Sequence, residues 1–158
     1  MRWIWIDKFL TFDRAKEASA VKYLTLAEDH FAQHFPGYPV MPVPLMLEGM
    51  AQTGGILVGE ARDFKEKVVL AKLSRVNFTD DAVAGQELVY KVKMESLRDE
   101  GAVVSGEVFA DGKLIGSAEI QFAHLDSARS GQLFGDRNFV FTGELQRMLD
   151  LARPFAKG

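Results

Sequence analysis

Two side chains in this sequence are suited to moving protons, His34 and Glu48, and both lie in the stretch His34 to Arg62. Histidine titrates in the physiological range, so His34 is a candidate base. Glu48 is the one charge in the first half of a nearly all-apolar run. A carboxylic acid held in apolar surroundings is costly to ionise, and burial favours the protonated form that a general acid needs. Gln52 follows four residues later, on the same helical face, where its amide is placed to hold the carboxyl in one rotamer. A positioned imidazole and a protonated carboxylic acid suit abstraction of a proton coupled to loss of a hydroxyl.

Two elements must position this pair. The first is the loop HFPGYPVMP, in which Pro36, Pro39 and Pro42 fix three φ angles and Gly37 supplies the free hinge. The second begins at Pro44, which is tolerated at a helix start because that N–H has no intrahelical partner. From there Leu45, Met46, Leu47, Met50, Ala51, Ile56, Leu57 and Val58 leave no polar face, the pattern of a buried helix. Gly49, Gly54, Gly55 and Gly59 weaken such a helix by roughly 1 kcal/mol each, a cost that makes sense where other backbones press close against the helix.

The remaining chain reads as strands. Arg2 to Phe12 is expected to be one strand or two short ones, Lys16 to Thr25 another, and Glu28 to Gln33 a short helical approach to the loop. After the long helix come strands over Glu66 to Phe78, Glu87 to Ser96, Ala102 to Ala110 and Lys113 to Leu125, with Asp111-Gly112 as a hairpin turn. The fold class is therefore α+β: an antiparallel sheet wrapped around one long central helix, with an open edge that invites a dimer. Residues 1–125 form this domain. Residues 126–158 read as an extension: a linker to Arg137, an apolar anchor at Phe139 to Phe141, then an amphipathic helix capped by Thr142, stopped at Pro154 and carrying Leu145, Met148, Leu149 and Ala152 on one face. That helix is expected to cover sheet surface; a lid over the site is the lesser reading.

Composition bounds the partners. The chain has 158 residues, net charge −3, 47% hydrophobic and 26% charged residues, and no cysteine. One soluble, cytoplasmic globular domain is expected, with no disulfide, nucleic-acid footprint, signal peptide or membrane span. His30, His34 and His124 have no metal-ligand spacing, so no metal site is expected. His30 and His124 read as structural or surface residues.

HFPGYPVMP followed by LEGMAQ resembles the signature of the 3-hydroxyacyl-acyl-carrier-protein dehydratases of bacterial fatty acid biosynthesis, written HFPG-x-PVMPG with E-A-M-A-Q on the helix. The resemblance implies the hot-dog fold and a lyase of lipid metabolism that acts as a homo-oligomer. It further implies that His34 removes the α-proton, that Glu48 from the other subunit protonates the departing hydroxyl, that the Val40 carbonyl orients the His34 ring, and that the Val43 N–H polarises the thioester carbonyl. Phe35 and Tyr38 are expected near substrate. No cofactor is expected, because the thioester acidifies the α-proton and backbone N–H groups can stabilise the enolate. The implied partner is acyl carrier protein or another phosphopantetheine-linked acyl thioester.

The sequence departs from the family in two places. Val43-Pro44 replaces its Gly-Val, which narrows the approach to the thioester. Phe78-Thr79-Asp80-Asp81 stands where the family has a basic pair, so acids replace charges suited to an acidic carrier; Lys72, Arg75, Arg147, Arg153 and Lys157 are candidates to compensate. Two other functions share the fold class: an acyl thioesterase, in which an acid on the same helix activates water, and a non-catalytic acyl-binding module.

Overall fold

The computed structural model describes residues 3–125 and 143–153. Six strands form one antiparallel sheet: β1 (Lys8–Asp13), β2 (Glu17–Tyr23), β3 (Lys67–Phe78), β4 (Glu87–Leu97), β5 (Gly101–Ala110) and β6 (Lys113–Leu125), in the order β1-β2-β4-β5-β6-β3. Helix α2 (Val43–Ala61) lies across the sheet, preceded by the short α1 (Asp29–Gln33). Another helix, α3 (Gly143–Ala152), packs against β1 and α2.

Alternation along the strands builds the core. Leu88, Tyr90 and Val92 of β4 point to the α2 face, beside Ala18 and Ala20 of β2, Val104 and Val108 of β5, and Ala118 and Ile120 of β6. The other face carries Ser19, Lys91, Glu107 and Ser117 in register. Asp111 and Gly112, both at positive φ (46° and 82°), make the two-residue turn that joins β5 to β6.

Two expectations change. The N-terminal strand is confined to Lys8–Asp13, and Trp3 to Ile6 is not strand. Trp5 and Ile6 are buried all the same, and the Trp5 N–H is taken by the Gln52 side chain, so it is withdrawn from any ladder. What presses on the helix glycines is side chain rather than backbone. A Cβ on Gly49 would lie 2.6 Å from Cε2 and Oη of Tyr90, and one on Gly54 would sit 3.3 Å from Val104 Cγ1.

The division at residue 125 remains a proposal, and the linker, the Phe139 to Phe141 anchor, the Thr142 cap and the Pro154 stop lie outside the described residues. The expected apolar face of α3 is there: Leu145, Leu149 and Ala152 are buried. Arg153 reaches Glu60 at 3.4 Å, and Arg14 of the β1–β2 turn meets the same carboxylate at 3.4 Å. Glu60 is twelve residues beyond Glu48, about 18 Å along the helix. A packing role for α3 is thus favoured over a lid. Deleting residues 142–158 is expected to lower the melting temperature or solubility while leaving the turnover of each folded site unchanged. Thermal denaturation and active-site-normalised rates check this, and lost turnover in a fully stable truncation would restore the lid.

Candidate active site

The loop between α1 and α2 is held by backbone bonds at both ends. The Phe35 N–H donates to the Tyr38 carbonyl at 3.1 Å and the Tyr38 N–H returns to Phe35 at 3.0 Å, closing a tight turn around Gly37 at φ +83°. No atom lies near a Cβ built on Gly37, so its backbone angle, not crowding, requires glycine. The Val40 N–H donates to the His34 carbonyl at 2.9 Å, and the Met41 N–H to Ala82 at 2.7 Å, which ties the loop to the turn before β4.

This leaves His34 exposed at the loop's start, its ring stacked on Phe35 with centroids 4.4 Å apart. The bond between His34 and Val40 is therefore main chain to main chain; the expected ring-to-carbonyl bond is not among those of the described residues. Phe35 and Tyr38 flank His34 with 56% and 58% of their surfaces open, a large apolar area beside a candidate base. Val43 is the first residue of α2, so its N–H is among the helix-start donors without an intrahelical acceptor.

Glu48 is half-buried in this chain, less enclosed than an all-apolar helix implies, because α2 is uniformly covered only from Gln52 to Glu60. The expected amide contact is present: Gln52 Nε2 donates to Glu48 Oε1 at 3.1 Å. Gln52 also binds the N-terminal segment, a contact that no local pattern in the sequence announces. Its Oε1 accepts the Trp5 N–H at 2.8 Å, and its Nε2 donates to the Trp3 carbonyl at 3.0 Å.

The other histidines are structural. His30 is buried with its ring 5.4 Å from that of Trp5, and burial pushes its pKa down. His124 is buried at the end of β6, with Nδ1 3.3 Å from the Asp99 carbonyl and 3.4 Å from a Glu66 oxygen. Tyr90 belongs to the core, and burial raises the pKa of its hydroxyl well above the ordinary range. Among the described residues, no group of His, Asp and Glu side chains could hold a metal ion. No helix among them is long and apolar enough to cross a membrane.

The acidic rim meets the loop directly. The Tyr38 hydroxyl donates to Asp81 Oδ2 at 3.4 Å, so Asp81 borders the residues around His34. Asp80 is 3.0 Å from Lys113 Nζ, whose hydrogen bond holds its carboxyl below the usual range. The suggested compensation from the tail is corrected for Arg153, which is engaged with Glu60 and Asp150 at the far end of α2. Arg75 pairs with Glu119 at 3.4 Å, and Lys157 lies outside the described residues.

The FabA-like domain model matches residues 3–119. The chain is 33% identical over 119 residues to the 3-hydroxyacyl-[acyl-carrier-protein] dehydratase FabZ of Pelotomaculum thermopropionicum, covering 75% of this chain and 85% of that protein. It is 39% identical over 120 residues to the FabZ of Streptococcus equi subsp. zooepidemicus, covering 72% and 86%. Among solved structures, a chain of the dehydratase heterocomplex ApeI:P from Xenorhabdus doucetiae matches with a TM-score of 0.70 at 12% identity, over 85% of this chain and 91% of that one. A hot-dog-like protein from Thermanaerovibrio acidaminovorans gives 0.63 at 16% identity, over 80% and 96%. At such identities the structures speak for the fold, which is the hot-dog.

Proposed function

The chain belongs to the FabA-like domain family, whose members include the 3-hydroxyacyl-acyl-carrier-protein dehydratases, and from that premise we propose that it converts a 3-hydroxyacyl thioester on acyl carrier protein into a trans-2-enoyl thioester. The observation that carries this reading is the pair of proton-transfer groups on two rigid supports. His34 is exposed on a loop pinned by its own backbone, and Glu48 is held by Gln52 on α2. The His34 imidazole takes the C2 proton. The C2–H electrons form the C2=C3 double bond, the C3–O bond breaks, and Glu48 gives its proton to the departing hydroxyl, which leaves as water. The Val43 N–H, free at the start of α2, stabilises the enolate oxygen, and the Glu48 carboxylate and His34 imidazolium reset by exchange with solvent. Phe35 and Tyr38 provide apolar surface for the pantetheine arm and the first acyl carbons.

The base and acid of each site are proposed to come from two copies of the chain. Supporting this, among the described residues β3 lies at the end of the sheet and pairs with β6, and Leu70 and Val76 on it are exposed. Edge-to-edge pairing through β3 would cover both and run one sheet across the dimer. The experiment is hydration of a trans-2-enoyl thioester, followed by loss of the conjugated absorbance, with free thiol assayed in parallel. Hydration without thiol release supports the dehydratase; thiol release makes the chain a thioesterase, and neither reaction leaves an acyl-binding module.

Charge at the rim gives a separate expectation. Asp81 stands beside Tyr38, so an acidic carrier approaching His34 meets it. Asp80→Arg/Asp81→Arg is expected to raise kcat/KM on acyl carrier protein thioesters several-fold at low salt, with the gain fading as salt is added, and to leave small pantetheine thioesters unchanged. No gain with the carrier at low salt would mean that it docks elsewhere.

A further inference from the structure

The N-terminal residues Trp3 to Trp5 are bonded into the same junction as the candidate acid. Gln52 is buried and its amide is fully engaged. The oxygen accepts the Trp5 N–H at 2.8 Å, which turns the NH2 end the other way. One of its hydrogens goes to the Trp3 carbonyl at 3.0 Å and the other to Glu48 Oε1 at 3.1 Å. Two acceptors bound by one planar NH2 group lie about 5 Å apart, so the Trp3 backbone is a near neighbour of the Glu48 carboxyl. A flipped amide would face the Trp5 N–H with its own donors, so the segment also fixes which end of Gln52 meets the acid.

The two indoles are treated differently. Trp5 is 3% exposed, packed edge-on against His30. Trp3 meets Trp5 edge to face at 5.5 Å and keeps 59% of its surface open. That open indole belongs to the residue whose carbonyl shares the Gln52 amide with Glu48.

We infer that Trp3 is a specificity-determining residue, its indole receiving the acyl chain beyond C3 of a 3-hydroxyacyl thioester. The inference rests on the proposed role of Glu48. A carboxyl that protonates the C3 hydroxyl lies within hydrogen-bond reach of it, so the alkyl chain leaving C3 starts only a few ångströms from Glu48. That chain needs apolar surface, and the open indole of Trp3, whose carbonyl shares the Gln52 amide with the acid, supplies it. Each methylene laid on the ring is worth about fourfold in affinity where it is fully covered, so preference should grow with chain length.

The chain has two tryptophans, so Trp5→Phe leaves Trp3 as the sole indole reporter. The probes are unreactive pantetheine amides of 3-hydroxybutanoic and 3-hydroxydodecanoic acid. The long analogue is expected to shift Trp3 emission to the blue, and the short one to leave it unchanged. Should Trp5→Phe fail to fold, the two indole N–H resonances of isotope-labelled parent protein, told apart by Trp3→Phe, read the same contact. Trp3→Ala is expected to lower kcat/KM on the long thioester tenfold or more through KM, with the short one affected less than twofold. A long analogue that competes with enoyl thioester yet leaves Trp3 unperturbed would overturn the inference. So would Trp3→Ala that dissociates the protein into monomers, since the indole would then be a subunit contact. If the parent binds neither analogue and hydrates no enoyl thioester, the dehydratase reading falls first and this inference with it.

Discussion

His34→Ala and Glu48→Gln are each expected to lower the dehydration rate at least a hundredfold in a protein that still folds. General acid–base groups typically contribute two to four orders of magnitude. His34 is exposed, and Glu48 is half-buried and hydrogen-bonded by Gln52, so neither substitution opens a core cavity or strands a buried charge. Unchanged melting temperatures separate lost chemistry from lost fold. The two variants also test whether the site is shared between two copies, which a return of activity in mixed dimers would show. When they are dissociated, mixed and reassociated, half of the dimers are mixed, and one of the two sites in each carries both native residues. About a quarter of the parental activity then returns. Sites built within single chains would recover nothing, because every chain carries one defect. Near-normal turnover in either single variant would remove that residue from the mechanism.

Local rules made much of this legible. The Asp-Gly pair between β5 and β6 adopts the two positive φ angles that such a turn demands. The four-residue spacing of Glu48 and Gln52 delivers the amide to the carboxyl, because i and i+4 share a helix face. What the sequence hid depends on long-range pairing. Nothing local distinguishes Trp3 to Ile6 from a strand; a side chain forty-seven positions away takes the Trp5 N–H. His30 stands in a polar run, yet the ring of Trp5 closes over it. Asp80 and Asp81 look alike in sequence, whereas one is paired to Lys113 and the other touches Tyr38 at the loop around His34. Glu48 is less enclosed than its apolar neighbours imply, since one sheet covers only part of a helix.

Gly49→Ala sets two effects of opposite sign against each other, and packing should win. Alanine in a helix interior gains about 1 kcal/mol over glycine. At this position, however, the new methyl would lie 2.6 Å from two atoms of Tyr90, a side chain with no exposed surface. A ring fixed in a dense core cannot swing away, so α2 must move off β4 or the ring must leave its rotamer. Overpacking of this kind costs about 1–3 kcal/mol, and contact well inside van der Waals distance puts it at the upper end. The expected net loss is about 2 kcal/mol, seen as a fall in melting temperature of about 4–8 °C for a chain of this size. Gly49 also follows Glu48, so displacement of α2 moves the acid. The dehydration rate should therefore fall further than the folded fraction does, since small misplacements of a reacting group are costly. Tyr90→Leu removes the obstacle and opens a cavity of its own. Combined with Gly49→Ala it should cost at least 1 kcal/mol less than the two single losses added, because each change relieves the other. A melting temperature that rises in Gly49→Ala, as helix propensity alone would have it, would show that α2 and β4 are not packed as closely as the Tyr90 contact requires.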